Sequence, residues 1–300
     1  MSDVHWVAHA GQRMGFMPSR GGAVTAWTWS RAGESVDVWR AWDGINPAIE
    51  STACYPMVPW TNRISGGGFA FEGRFRPLSP NTATDPYPIH GDGWLQPWTL
   101  RQPDEGVVQM ELRSHGYGGG PYNYWAQQAF ELTQEGLTQS LTVRNESDEA
   151  MPFGLGLHPW FTSTPGCTVR SAVEGVWISG PDKIPTGYEN DFPRGWDLNA
   201  GIEVGSVVID NGFGGWSGRA TIEWPERRLR LTMQSELSSP QAGHALECLL
   251  YSPAEPAVFC FEPVTHPIDA PHLPGQPGWV ALRPGETMSL RTRWGLQVII

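Results

Sequence analysis

Lysine is nearly missing from this chain. Lys183 is the only one among 300 residues, the other nineteen basic residues are arginines, and the net charge is −11. An acidic chain without basic runs excludes nucleic acid and anionic membranes as expected partners. Long uninterrupted segments are missing too. With 36 glycines and 27 prolines, the longest stretch free of both is Leu137 to Met151, fifteen residues. Both residues interrupt helices, glycine through backbone entropy and proline through its missing donor, so long helices have little room. No apolar run reaches the ~18 residues of a membrane span, and Met1 to Met14 lacks the apolar stretch of a signal peptide. A soluble cytoplasmic protein is the expectation. The four cysteines form no C-x-x-C pair; free thiols are expected rather than a zinc framework. No G-x-S-x-G, P-loop or G-x-G-x-x-G signature supports a serine hydrolase or a nucleotide enzyme. There is no internal repeat and no break in composition. One domain over residues 1–300 is expected, large enough to bury a core without staples.

What is present is alternation. Leu137, Gln139, Leu141 and Val143 share one strand face, and Thr138, Ser140, Thr142 and Arg144 the other. Ala220, Ile222 and Trp224, then Leu229, Leu231 and Met233, repeat the pattern, and Met288 and Leu290 begin another strand. Period-two patterns bounded by glycine and proline are half-buried antiparallel strands. Enough of them make a large sandwich or barrel. Turn-rich loops are expected at residues 65–68, 116–121, 212–218 and 271–278. Sixteen tryptophans suit such a fold and suit aromatic-lined clefts.

Polar residues in distinctive settings stand out against this background. Glu262 ends the apolar run from Ala257 to Phe261, on the same face as Val258 and Cys260. A carboxylate there is costly unless paired or used, or else it is exposed where the strand frays. His158 lies between Leu157 and Pro159-Trp160-Phe161 with few polar neighbours, and read alone it is a satisfied core histidine as readily as an acid. His90 stands before Gly91-Asp92-Gly93-Trp94, where glycines let the backbone turn or approach a ligand. Arg63, beside Asn62, presents a planar fork that suits two hydroxyls, or is a surface arginine. Asp210 precedes Asn211-Gly212 and is either a turn residue or a bidentate acceptor for adjacent hydroxyls. His266, Asp269 and His272 form a loop trio with zinc-ligand chemistry but no recognised spacing.

Taken in order, the segments around Asn62-Arg63-Ile64, His90-Gly91, His158-Pro159-Trp160-Phe161, Asp210 and Phe261-Glu262-Pro263 resemble the aldose 1-epimerases, or mutarotases. The resemblance begins at Met17 to Trp27 and covers nearly the whole chain. It implies an all-β fold, a large and mostly antiparallel galactose mutarotase-like β-sandwich with an open sugar cleft. It implies Glu262 as the base that takes the anomeric proton, His158 as the acid at the ring oxygen and His90 as a second histidine nearby. Arg63, Asp210 and Asn62 would hold hydroxyls. Trp94 and Trp160 each sit a few residues from one of these histidines, and one or the other is expected to offer an apolar face to the sugar. No cofactor or metal is implied, and the expected partner is a small-molecule sugar. Acid and base must reach one pyranose, so their polar atoms belong within about 5–8 Å. A histidine and a glutamate should need little pKa tuning to serve.

Three alternatives stay open at this point. One is a non-catalytic carbohydrate binder on the same fold. Another is a hexose-6-phosphate 1-epimerase, although no arginine follows His90 in Gly93-Trp94-Leu95-Gln96. The third is a glycoside-cleaving enzyme that uses Asp92 with Glu262, which needs the pair about 5–10 Å apart.

Overall fold

The computed structural model describes residues 4–31, 33–241, 243, 245–254 and 257–299. Two large sheets dominate, one of eleven strands and one of nine, with two small two-stranded sheets beside them. Every pairing between named strands is antiparallel. Among the described residues there is no α-helix, only five three-residue 3-10 turns. None of these is long and apolar enough to cross a membrane.

Alternation produces the layers. In the strand Gly136–Asn145, Leu137, Gln139, Leu141 and Val143 are buried while Thr138, Ser140, Thr142 and Arg144 are partly exposed. Ala220, Ile222, Trp224, Leu229, Leu231 and Met233 point the same way, into a core shared by the two large sheets. Trp27 and Trp39 of the larger sheet meet Trp294 of the smaller one edge to face, with Trp39 and Trp294 centroids 5.3 Å apart. Truncating one such ring to alanine typically costs ~3–5 kcal/mol. All four cysteines are buried and free.

One expected loop is not a loop. Residues 212–216 belong to the strand Ile209–Trp216, whose register shifts between Phe213 and Trp216. The glycines serve the strand rather than end it. A side chain at Gly214 would sit 2.7 Å from the Tyr188 ring, and Gly215 has a left-handed φ of 63° at the irregularity. Asp210 therefore lies within a strand, opposite Tyr251, and not at a turn.

The middle of the eleven-stranded sheet reads Cys54–Met57, Gly156–Thr162, Val258–Val264, Leu246–Ser252, Ile209–Trp216. One face of these strands meets the core. The other carries a second apolar cluster, in which Tyr55, Met57, Leu249 and Val264 pack against Ile89, Trp94 and Ile268 from loops. The cleft opens on this outer face.

Candidate active site

Two neighbouring strands supply the central pair. Leu157 and Phe161 of Gly156–Thr162 face the core, so His158 and Trp160 face the cleft. In Val258–Val264 the same rule sends Phe259 and Phe261 inward and leaves Cys260 and Glu262 outside. Gly156 pairs with Val264 and Trp160 with Cys260, which places His158 directly opposite Glu262. His158 Nε2 and Glu262 Oε1 are 3.4 Å apart. This is closer than the spacing expected for two groups on either side of a sugar. The pair therefore forms one unit on the cleft floor, and both groups approach a ligand from the same side.

The remaining groups converge on that unit. A cavity of about 180 Å³ is lined by Asn62, Arg63, His90, His158, Trp160, Asp210 and Glu262, with Ile89, Leu249, Leu250 and Tyr251. It is smaller than the ~300–1,000 Å³ of drug-sized pockets, which suits one monosaccharide ring. His90 and Asn62 both have left-handed backbones, with φ of 59° and 52°. The strain is held by mutual bonds. His90 N–H donates to the Asn62 carbonyl (3.0 Å), and Asn62 N–H donates to His90 Nδ1 (3.1 Å). With Nδ1 an acceptor, a neutral His90 carries its proton on Nε2 and is a fixed donor. Gly91 allows this loop to approach, since a Cβ there would lie 2.1 Å from the Val58 carbonyl oxygen. Arg63 is clamped by Asp85, which accepts from Nε (2.8 Å) and Nη2 (2.7 Å), while Asn62 Oδ1 accepts from Nη1 (3.2 Å).

Stacking fixes the plane of His158. Its ring lies between Tyr55 (4.5 Å, 25°) and Trp160 (5.2 Å, 27°), and Trp94 stacks behind Tyr55 (5.6 Å). The Arg40 guanidinium caps the column 4.6 Å from the Trp160 ring. Only the edges of the imidazole are left for chemistry. Trp160 lines the cavity, as expected from its position. Trp94 does not. It is buried, and its indole N–H donates to the Gly91 carbonyl (3.0 Å), so it supports the His90 loop and Tyr55 instead of touching a ligand. Trp160→Ala removes both a cleft wall and one face of the His158 clamp. KM should rise by roughly 2–10-fold, the range for a lost aromatic contact, and kcat should fall with it. Trp160→Phe should restore kcat more than KM, which steady-state kinetics would resolve.

Burial sets the protonation states, and against the expectation of little tuning. It pushes His158 down to about 3, with the Arg40 charge adding to the effect. It pushes Glu262 well above the carboxylate range, reinforced by Asp210 and opposed by Arg63. His90 is held well below its usual value by burial, then by His158 and Arg63. Burial thus favours the neutral form of the pair, with the proton on Glu262 rather than on His158. The two groups are neighbours and share one proton as a pair.

Several contributors were not singled out in the sequence. Asp85 anchors Arg63. Lys183 Nζ lies 2.9 Å from Asp210 Oδ2. The turn that carries Lys183 is tied to the opposite wall, where Tyr87 O–H donates to Asp182 (2.9 Å). The scarcity of lysine was visible in the sequence, but nothing local linked Lys183 to Asp210.

Two other polar groupings resolve differently. Asp92 is not in the cleft. It accepts from Gln96 (2.9 Å) and from the Tyr124 hydroxyl, and it lines a separate hollow with Trp60 and Leu78. A cleavage mechanism with Glu262 therefore has no geometric basis in Asp92. The trio of His266, Asp269 and His272 is a loop staple. Thr61 N–H donates to His266 Nε2 (3.1 Å) and His266 Nδ1 bonds the Pro267 carbonyl (2.7 Å), which occupies both ring nitrogens. Asp269 joins His272 (2.7 Å) to Ser65 (2.7 and 2.8 Å).

Glu247 lies two residues from Leu249 on the same strand face, buried, and Trp177 Nε1 donates to it (2.9 Å). Burial raises it to about 8. A carboxyl whose folded pKa is raised binds its proton more tightly in the folded state. Its ionisation costs stability from the unfolded value upward, with the full cost reached above pH 8. Glu247→Gln should therefore gain stability relative to the parent between pH 5 and pH 9. Urea midpoints at those two pH values test this, and an unchanged difference would contradict it.

Comparisons with known proteins give the family and the fold. The family model described as aldose 1-epimerase matches residues 7–295. The chain belongs to the aldose 1-epimerase family. The uncharacterized protein YphB of Escherichia coli strain K12 is 34% identical over 256 residues, which is 81% of this chain and 84% of YphB. The solved structure of a putative aldose 1-epimerase from Escherichia coli K12 superposes with a TM-score of 0.87 at 28% identity, covering 99% of both chains. A galactose mutarotase-like protein from Clostridium acetobutylicum shares the fold at 19% identity and a TM-score of 0.80, covering 98% of this chain and 95% of its own. The fold is thus galactose mutarotase-like, as the resemblance implied.

Proposed function

We propose that this protein interconverts the α and β anomers of an unphosphorylated aldose. The observation that carries the reading is the His158–Glu262 pair, 3.4 Å apart on the floor of a monosaccharide-sized cleft. Ring opening needs one proton removed from the anomeric hydroxyl and one delivered to the ring oxygen. The C1–O5 bond breaks as the C1=O1 double bond forms. Rotation about C1–C2 and closure on the other carbonyl face complete the reaction, with both protons returned.

Glu262 is the base and His158 the acid. The working form arises when the shared proton passes from Glu262 to His158, with no change in net charge. The Arg63 charge favours the carboxylate. His90 Nε2–H is a fixed donor for a sugar oxygen, while Arg63 and Asp210 hold hydroxyls. Water already opens the ring slowly, so positioned acid and base suffice, each typically worth ~10²–10⁴-fold. A binding module needs neither group.

The charges at the cleft favour a neutral sugar. Arg63 is paired with Asp85 and Lys183 with Asp210. A phosphate would have to compete with a carboxylate at either cation. Anomeric exchange measured by NMR on matched aldoses and aldose 6-phosphates tests the substrate class. Acceleration of the free sugars is expected. Acceleration confined to the phosphates would overturn this part of the reading.

A further inference from the structure

One group at the site has no part in the mechanism above, and it is the Cys260 thiol. Cys260 lies two residues before Glu262 on the same strand face and opposite Trp160. Its Sγ, a His158 ring nitrogen and a Glu262 oxygen all lie within 4.8 Å of one another. All three residues are at least nine-tenths buried. Glu262 Oε2 is buried with no hydrogen-bond partner among the described residues. Imidazole nitrogen, thiolate sulfur and carboxylate oxygen are the three ligand classes of zinc. Bonds of ~2.0–2.3 Å in a tetrahedral site set ligands about 3.3–3.8 Å apart. The His158–Glu262 separation of 3.4 Å already meets this, and the sulfur needs a shift of about 1 Å or less. His158 and Glu262 line the cavity, so an ion that enters it meets them there.

We propose that His158, Cys260 and Glu262 form a Zn2+ site that shuts down the catalytic pair, a reversible inhibitory site rather than a cofactor site. The ion displaces the thiol proton and the proton shared by His158 and Glu262, and it takes their lone pairs. The acid and base are then both occupied, and zinc and sugar exclude each other. The inhibitory half of this statement rests on the epimerase reading, whereas metal binding does not. The pair is retained for acid–base chemistry, and the thiol turns it into a three-ligand trap. Removing the thiol therefore separates the two properties.

The test uses the full, metal-free chain titrated with Co2+ as a spectroscopic stand-in for zinc. One equivalent should develop a thiolate-to-cobalt charge-transfer band, which added Zn2+ should abolish. Cys260→Ser keeps the side-chain size and should lose the band, as should His158→Asn. In parallel, Zn2+ should inhibit mutarotation, a chelator should restore it, and Cys260→Ser should stay active while tolerating at least ~10-fold more zinc, since losing a ligand costs no less than losing an outer-shell support. Cys260→Ala serves equally if the serine variant folds poorly. No charge-transfer band in the parent, or a band that survives in the Cys260 variants, would overturn the site. A parent that shows the cobalt band but no mutarotation under any condition would overturn the epimerase reading and leave the metal site standing.

Discussion

Glu262→Gln should lower kcat by at least ~10²-fold while sugar affinity changes much less. The amide keeps the volume of the side chain and its place opposite His158, but it cannot accept the anomeric proton. His158→Asn should act alike, because it leaves Glu262 with no partner for the shared proton. Combining the two should cost less than the product of the separate losses, since acid and base serve one step. A fully active Glu262→Gln protein would move the base elsewhere. Asp210 would then be the residue to change, as the other carboxylate that lines the cleft.

The second large effect is on the pH profile. An ordinary histidine acid loses its proton near 6.5 and an ordinary glutamate base gains one near 4.3. Burial moves both away from these values here, His158 to about 3 and Glu262 well upward. The active state is the pair with one proton. Activity should fall in acid only as a second proton reaches His158, near pH 3. In alkali it should fall only as the shared proton leaves, far above the glutamate range. The parent should thus hold kcat/KM level through the neutral range, where unshifted groups would give a slope. Arg40 helps to hold His158 down through the stacked column. Arg40→Met should raise the acid limb, and Arg40→Lys should largely restore it. A limb at 6.5 in the parent would show that the pair titrates as two independent groups.

Much of this architecture was legible in the sequence because β-structure writes its faces in period two. The same rule that aligned Leu137 with Val143 also put Glu262 and Cys260 on one side of their strand. Glycine defeated it at residues 212–216. There the missing side chains make room for Tyr188 and for a bulge, yet they look like a turn. The turn reading of Asp210 fails for the same reason, while the residue itself lines the cavity. The six polar residues that the family resemblance implied all line one cavity. Their supports were not legible. Asp85 behind Arg63, Arg40 above Trp160 and Lys183 beside Asp210 act through long-range packing, and no local pattern marks them. Trp94 shows the converse. Nearness in sequence to His90 suggested a cleft wall, but the loop turns the indole inward beneath Tyr55. The pKa tuning was misjudged because it depends on complete burial, which sequence does not display.

The most direct test of the central claim is polarimetry of freshly dissolved single anomers across a panel of neutral aldoses, with the metal-free parent protein in a chelating buffer. The epimerase account predicts that at least one sugar reaches its anomeric equilibrium faster than in buffer, at a rate proportional to protein concentration. If every sugar relaxes at the buffer rate while one of them binds the cleft, the account is contradicted and the protein is a carbohydrate binder.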